Sequence, residues 1–442
     1  MPNVQPALTP WPAGALLWTL AFALALVAST LLQAWLASRQ IRHVARHRGA
    51  VPADFAQRVA LSEHERAAAY TIERTLLALL DGWIASAVLL GLTLLGGIQS
   101  LWELSAQLLP SDALLARQCF VLVAVALVGG IVELPLDAWR RFHIEERFGF
   151  NRLTVRLWII DGLRHLLLSL GLGLPLAALV LSLIEWSGAL WWLWAWLVWI
   201  TFSFAMMILF PIFFARLFNR FEPLPPGPLR ERLEQLLERC GFPCGGLFVM
   251  DGSRRSAHGN AYFTGFGKAR RIVLFDTLIE QLDPAALEAV LAHEIGHFRL
   301  RHIPQRLVLL QALSLAALAL IGWLATQGWF YQGLGVVPAE GLLPGLALLL
   351  FLLVSPIFNS FLGPILARLS RQQEFEADAY AVKMTSAQAL SAALVALYRN
   401  NASTLTPDPL HSAFHDSHPP ASLRIRQLAG AAAHNATVAV NP

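Results

Sequence analysis

The chain has 442 residues, of which 56% are hydrophobic and only 14% are charged. Soluble domains carry about 25% charged residues, so the composition excludes an ordinary soluble protein and indicates that lipid surrounds much of the chain. The net charge of +4 is small for this length, and three cysteines are too few for a disulfide framework. We expect Cys240 and Cys244 to be ordinary thiols, because no second cysteine pair completes a zinc knuckle.

Seven stretches are apolar enough, and at about 20 residues long enough, to cross a bilayer as helices. They are residues 14–37, 76–98, 113–136, 165–184, 189–215, 306–326 and 342–367. The first stretch has no basic segment before it and no small-residue cleavage site, so we interpret it as a retained span and not as a signal peptide. The sequence therefore predicts an all-α polytopic membrane protein with seven transmembrane helices.

Arginine residues are concentrated in alternate loops. Seven lie within residues 38–75 and six within residues 137–164, whereas the loops on the other side contain neither lysine nor arginine. The positive-inside rule then predicts an N-terminus outside the cell and two long polar stretches, at about 216–305 and 368–442, in the cytosol. Because these arginines lie at membrane ends without interleaved aromatic residues, we expect no binding of nucleic acid.

A β-hairpin is predicted within the first polar stretch. Residues 257–275 alternate apolar and aromatic side chains and contain a Gly-Phe-Gly sequence suited to a turn. This hairpin could offer an exposed edge strand, or it could simply pack against the helix that follows it. Both interpretations are equally compatible with the sequence.

The helix that follows carries a metal-binding pattern. Asp283 is suited to the N-cap and Pro284 to the first helical position. The helix then runs into a His-Glu-X-X-His motif at residues 293–297. His293 and His297 lie on one face, so both imidazoles can bind one zinc ion, with Glu294 beside the water that it activates. Two structural histidines on an amphipathic helix are the alternative.

A catalytic zinc site needs a third protein ligand, and acidic residues after the last span could supply it. Residues 371–378 suggest the start of a second helix and contain Glu374, Glu376 and Asp378. Both glutamates are candidate ligands by chemistry, but only Glu374 shares a helix face with Asp378. One carboxylate of that pair could bind zinc while the other accepts the free N–H of a ligand histidine. Taken alone, the cluster could also be a solvated helix end.

With these residues and several further motifs, the chain resembles the Ste24-type CAAX prenyl proteases, which are integral-membrane zinc peptidases of family M48. The matching stretches are residues 142–151, 251–256, 260–267, 271–278, 370–378 and 408–420, which together extend over most of the chain. The resemblance implies a gluzincin-like protease domain on the cytosolic side of seven helices that enclose a chamber.

The resemblance also implies roles for individual residues and one Zn²⁺ as cofactor. The residues that match the family's zinc ligands are His293, His297 and Glu374. Those that match its catalytic groups are Glu294 as general base, with His418 and Arg424 near the substrate carbonyl. Asp378 matches an aspartate that supports a ligand histidine. Asn260, Ala261 and Tyr262 match the edge strand on which the peptide is thought to lie.

Four segments are expected on this basis. Residues 1–215 would form transmembrane helices one to five with basic cytosolic loops, and residues 216–305 a protease segment with the edge strand and the zinc helix. Residues 306–367 would form helices six and seven. Residues 368–442 would form a cytosolic segment with the third zinc ligand, His418 and Arg424.

The expected function is a zinc endopeptidase that hydrolyses prenylated CAAX-type or other membrane-associated peptides, with Glu294 taking a proton from the attacking water. A membrane quality-control protease of the same peptidase family, degrading misfolded membrane proteins, is one alternative, although seven spans favour the first function. A non-catalytic zinc-stabilised scaffold is the other, but such a site would not need Glu294.

Short loops and a compact length predict a protein of the bacterial inner membrane. We expect a monomer whose partners are a peptide or lipidated-peptide substrate and the surrounding membrane lipids.

Overall fold

The computed structural model describes residues 13–265, 270–337, 341 and 343–440. Within these residues, seven helices are long and apolar enough to cross a membrane. They are Ala13–His47, Leu61–Leu92, Leu114–Glu145, Val155–Ile184, Gly188–Phe218, His302–Leu324 and Pro344–Met384. Each overlaps one of the predicted spans, so the prediction of an all-α membrane protein with seven transmembrane helices is confirmed.

Helices within the described residues are numbered here in chain order. They are α1 (Ala13–His47), α2 (Leu61–Leu92), α3 (Gly97–Leu108), α4 (Leu114–Trp139), α5 (Val155–Ser187), α6 (Trp191–Leu209), α7 (Ala215–Phe218), α8 (Pro228–Arg239), α9 (Asp276–Gln281), α10 (Pro284–Arg299), α11 (His302–Leu324), α12 (Gly328–Gln332), α13 (Pro344–Asn359), α14 (Gly363–Met384), α15 (Ala387–Asn400), α16 (Pro409–His415) and α17 (Ala421–Val440). Two π-helical turns, Arg140–Glu145 and Phe210–Phe214, follow α4 and α6 directly.

Within the described part of the chain, four short strands form one sheet between α7 and α9. They are β1 (Phe221–Pro223), β2 (Leu247–Met250), β3 (Ala261–Thr264) and β4 (Arg271–Phe275). Their order is β1-β2-β4-β3, with β2 parallel to β4 and the two outer pairs antiparallel. β3 and β4 form the predicted hairpin, but residues 266 and 267 of its predicted turn lie outside the described residues. β3 lies at one edge of the sheet, so one side of its backbone pairs with no described strand.

The core of the protease segment and the outer face of the spans suit two different solvents. Helices α8, α10 and α15 pack with β4 through Leu236, Leu291, Leu394 and Ile272, all of them buried. Burying each such side chain contributes about 1.5–3 kcal/mol in water. In the spans, by contrast, large apolar side chains face outward, and Val308 is 71% exposed. This outward face is what a lipid environment requires.

The last span leads directly into the acidic helix. We expected a new helix to begin near residue 371, but α14 begins at Gly363, and a single 3₁₀ turn at Ser360–Leu362 joins it to α13. Pro364 fits the first turn of α14, where its missing N–H costs no hydrogen bond. Glu374 therefore lies in the middle of a rigid helix and not at a frayed end.

The end of the first span is joined to the C-terminal segment at Asp408. Arg39 donates hydrogen bonds from Nε and Nη2 to the two carboxylate oxygens of Asp408, at 3.2 and 2.9 Å. The backbone N–H of Asp408 donates to the side-chain oxygen of Gln40 at 2.7 Å. The same carboxylate accepts the N–H groups of Leu410 and His411 and so caps α16.

A second junction joins the protease segment to the basic segment 137–164. Arg255 donates to both oxygens of Asp161 on α5, at 2.8 and 3.1 Å, and to Asn219 at 3.0 Å. With the Arg39 contact, this junction puts both arginine-rich segments at the same end of the helical bundle as the two polar stretches.

Replacing Arg255 by methionine is expected to destabilise the protein in detergent by about 2 kcal/mol, because it leaves the buried Asp161 with only the longer 3.3 Å contact to Arg164. The measurement is the melting temperature of the purified variant. Arg254→Met is the matched control, since Arg254 is an exposed neighbour with one long contact to Asp251 at 3.3 Å. Equal melting temperatures for the two variants would contradict this account of the junction.

Candidate active site

Helix α10 begins and packs in a way that fixes its histidine face. The Asp283 carboxylate accepts the backbone N–H groups of Ala285 and Ala286, both at 2.9 Å, which confirms the predicted N-cap. Further along, Gly296 faces the backbone of Ala377 on α14. A Cβ atom added at Gly296 would lie 3.1 Å from the Cα of Ala377 and 3.2 Å from its carbonyl oxygen. The absence of a side chain at this position lets the two helices approach backbone to backbone.

Three of the predicted residues meet where α10 and α14 touch. The Nε2 atoms of His293 and His297 are 3.2 Å apart. The two Glu374 oxygens lie 3.4 Å from His293 Nε2 and 3.3 Å from His297 Nε2. One donor atom from each of these residues lies within 4.8 Å of the others. Of the two candidate glutamates, the structure brings Glu374 to this group and directs Glu376 elsewhere.

The chemistry of this group fits a bound cation. Glu374 is 3% exposed, and its Oε2 atom accepts no hydrogen bond from a described residue. A buried carboxylate oxygen without a partner is costly unless a cation satisfies it. Two imidazole nitrogens and one carboxylate oxygen are the donors that zinc takes in catalytic sites, which keep a fourth position open.

Asp378 and Arg424 support the other side of His293. Asp378 Oδ1 lies 2.9 Å from His293 Nδ1, and the Asp378 carboxylate accepts from Nε and Nη2 of Arg424 at 2.8 and 2.6 Å. Burial lowers the pKa of His293, but the nearby carboxylates of Asp378 and Glu374 outweigh burial and raise it to about 9. Because a carboxylate only accepts, Asp378 keeps a proton on Nδ1, and a cation bound at Nε2 would displace the second proton.

A second supporting contact was not predicted. His297 Nδ1 lies 3.0 Å from Nδ1 of His302, and His302 Nε2 lies 3.0 Å from Oε2 of Glu376. The sequence offered one signal for His302, namely a histidine five residues after the motif at the start of the next helix. Its partner, Glu376, was predicted only as a candidate metal ligand and not as a support for a histidine.

Glu294 and His418 face a cavity of about 930 Å³ beside this group, and Arg424 also contributes to its wall. Burial raises the pKa of the Glu294 carboxyl group, although the neighbouring histidines oppose this effect. His418 Nε2 lies 3.5 Å from Glu374 Oε2. Side chains of the first two spans, including Thr30 and Trp83, line the same cavity. The cavity therefore connects the metal-binding group with the interior of the helical bundle.

The predicted edge strand lies on the same protease core. The Asn260 carbonyl accepts the N–H of Phe275 at 3.0 Å, and Ala261 pairs with Leu274 in β4. Ala261 packs on the core that contains α10, whereas Tyr262 lines a separate pocket of about 230 Å³. The strand thus both packs on the core and keeps a free backbone edge, so the two interpretations of the hairpin are compatible.

Comparisons with known proteins match nearly the whole chain to one group of peptidases. Residues 40–220 match the family described as CAAX prenyl protease N-terminal, five membrane helices, and residues 223–432 match peptidase family M48. A CAAX prenyl protease 1 homolog of Arabidopsis thaliana is 33% identical over 378 residues, which cover 84% of this chain and 88% of that protein. CAAX prenyl protease 1 of Saccharomyces cerevisiae is 36% identical over 325 residues, which cover 70% of this chain and 71% of that protein.

A solved structure is similar over nearly the whole length. The crystal structure of S. mikatae Ste24p superposes with a TM-score of 0.86 at 30% sequence identity. The match covers 93% of this chain and 98% of that chain. The likeness therefore includes both the helical bundle and the segment that carries the candidate site.

Replacing Glu374 by alanine is expected to weaken zinc binding by more than about 100-fold, because loss of a supporting group alone costs 10–100-fold. The measurement is zinc content per chain after dialysis against a weak chelator. Glu231→Ala, an exposed glutamate on α8, is the control and should keep its zinc. Full zinc content in Glu374→Ala would rule this residue out as a ligand.

Proposed function

Because this chain belongs to the CAAX prenyl proteases of peptidase family M48, we propose that it hydrolyses peptide bonds at a zinc ion held by His293, His297 and Glu374. The observation that carries the proposal is the meeting of two imidazole nitrogens with the buried Glu374 carboxylate beside a cavity. Its Oε1 lies 3.3 Å from His297 Nε2, and its Oε2, which accepts no hydrogen bond from a described residue, lies 3.4 Å from His293 Nε2. Membership of the family makes the chain a membrane metalloprotease, and the choice of zinc rests on the donor set.

Glu294 acts as the general base in this proposal. A bound zinc ion would supply Lewis acidity that activates water at neutral pH. Glu294 takes one proton from the attacking water and then delivers it to the leaving amine, so that the carboxylate is restored at the end of each cycle. Burial of its carboxyl group supports this role, because a raised pKa makes the carboxylate a stronger proton acceptor.

His418 and Arg424 would stabilise the negative charge that develops on the carbonyl oxygen. His418 is well placed to donate a hydrogen bond, since its side chain is 62% exposed at the cavity wall. Two nitrogens of Arg424 bind Asp378, and its Nη1 lies 4.0 Å from Glu374 Oε2. We therefore assign Arg424 a double role, as the anchor of Asp378 and as a source of positive charge behind the oxyanion.

The substrate proposed is an extended peptide that pairs with the free edge of β3. Main-chain hydrogen bonds along Asn260, Ala261 and Tyr262 would hold it without regard to sequence. The relatives are named for CAAX prenyl proteolysis, and the cavity wall includes apolar side chains of the spans, such as Trp83. Both points favour a prenylated CAAX-type peptide or another membrane-associated peptide.

The site would face the cytosol of a bacterial cell. Both arginine-rich segments lie at the same end of the bundle as the site, and the positive-inside rule assigns that end to the cytosol. The N-terminus would then lie outside the inner membrane. The described residues form one complete set of candidate ligands within a single chain, which agrees with a monomer.

A quality-control protease that degrades misfolded membrane proteins remains the second candidate function. It would use the same chemistry and differ in its substrate. Trapping substrates in cells with the inactive Glu294→Gln variant, followed by their identification, distinguishes the two. Capture of short lipidated peptides would support the first function, and capture of large misfolded membrane proteins the second.

Glu294→Gln is expected to lower the rate of cleavage about 10²–10⁴-fold while zinc remains bound, because the amide cannot accept the proton but the ligands are untouched. Cleavage of a farnesylated CAAX peptide and zinc content are measured on the same sample. Glu280→Gln, on the neighbouring helix α9, is the control. Cleavage by Glu294→Gln at the wild-type rate would overturn the mechanism.

Methylation of backbone nitrogens in the substrate tests the pairing with β3. Because only alternate amides of an extended peptide face a neighbouring strand, N-methyl groups at alternate positions should raise KM about tenfold, and those at the intervening positions should have little effect. The measurement is a set of peptides with one N-methyl group each. A uniform response along the peptide would show that β3 does not bind it by strand pairing.

A further inference from the structure

The two histidines proposed as ligands are supported in different ways. His293 contacts a carboxylate directly, through its Nδ1 atom and Asp378 at 2.9 Å. His297 reaches a carboxylate only through another imidazole. Its Nδ1 lies 3.0 Å from His302 Nδ1, and His302 Nε2 lies 3.0 Å from Glu376 Oε2. The chain of contacts therefore runs from Glu376 through His302 to His297.

The order of these atoms fixes where the protons lie. A carboxylate only accepts, so His302 must carry its proton on Nε2, where it faces Glu376. A neutral His302 then has a lone pair on Nδ1. The contact with His297 needs one proton, which must come from His297 Nδ1. The remaining nitrogen of His297, Nε2, then carries a lone pair, which faces Glu374 and His293.

The opposite proton arrangement is disfavoured at both ends. It would place two acceptors, His302 Nε2 and Glu376 Oε2, face to face at 3.0 Å. It would also put a proton on His297 Nε2, the atom that a metal must reach.

The backbone also holds His302 in place. Arg301, the residue before it, has φ of 59° and ψ of 29°, a left-handed conformation that is uncommon for residues other than glycine. This turn ends α10 and starts α11 within two residues, which directs the first side chain of α11 back toward His297. Residues held in rare conformations are found at functional sites more often than elsewhere.

We propose that His302 and Glu376 are positioning residues that fix the tautomer and the ring orientation of His297, so that its Nε2 atom is ready to bind metal. This inference rests on the proposed function, because it assumes that His297 is a ligand. Neither residue belongs to the candidate ligand group or to the lining of the cavity beside it. Asp378 orients His293 by direct contact. Glu376 orients His297 in the same way, but through the ring of His302.

Two substitutions of His302 separate hydrogen bonding from packing. The side-chain oxygen of asparagine lies where histidine has Nδ1, so His302→Asn keeps an acceptor for His297. His302→Leu fills the space without one. Zinc affinity, measured by competition with a chelator on the purified protein in detergent, should fall about 10–100-fold for His302→Leu and less than about threefold for His302→Asn.

Glu376 provides an independent arm, because its half-exposed side chain can be removed without disturbing a core. Glu376→Ala should weaken zinc binding about tenfold in the wild-type background. It should have no further effect in the His302→Asn background, because asparagine has no tautomer to fix. Gln373→Ala, a partly buried neighbour that contacts Arg306 at 2.6 Å, is the control and should bind zinc as the wild type does.

The outcomes distinguish this inference from the proposed function. Wild-type zinc affinity in both His302→Leu and Glu376→Ala would overturn the positioning role and leave the peptidase untouched. Absence of zinc binding by the wild-type protein, or full zinc binding by Glu374→Ala, would instead overturn the proposed function. Should His302→Leu fail to yield folded protein, equal effects of Glu376→Ala in the wild-type and His302→Asn backgrounds would overturn the positioning role.

Discussion

Everything in the candidate site depends on the close contact between α10 and α14. The two helices approach backbone to backbone at Gly296 and Ala377, where a Cβ atom on the glycine would lie only 3.1 Å from the facing Cα. Short side chains such as histidine and glutamate can therefore meet between helices whose residues are about 80 positions apart in sequence. Each of the two helices also leads directly, or after a short turn, into a membrane span. The packing of the spans therefore fixes the position of the candidate site.

The three acidic residues of α14 illustrate how helix geometry divides similar side chains among different tasks. Glu374 and Asp378 are separated by four residues and share a face, so both reach His293, one at each ring nitrogen. Glu376 lies between them in sequence and points to a different side, where it meets His302. Three carboxylates within five residues thus contribute one candidate ligand and two supports for the histidines.

Local patterns in the sequence predicted the spans, the cap at Asp283 and the spacing of His293 and His297, because composition and helical periodicity encode them directly. The choice of Glu374 over Glu376 also followed from periodicity, since only Glu374 shares a face with Asp378. Contacts between distant segments left no such pattern. The paired hydrogen bonds of Arg424 to Asp378, the contact of His302 with Glu376, and strands β1 and β2 all depend on tertiary packing. The early start of α14 at Gly363 was missed because its first turns are apolar and were counted within the span.

The junction at Asp408 has a consequence for folding during synthesis. Arg39 and Gln40 are synthesised well over 300 residues before Asp408, the residue that they bind. A nascent chain that ends before residue 374 contains the His-Glu-X-X-His helix but lacks the third candidate ligand, His418 and Arg424. A chain that ends there would therefore lack a complete candidate site, although its His-Glu-X-X-His helix has already been made.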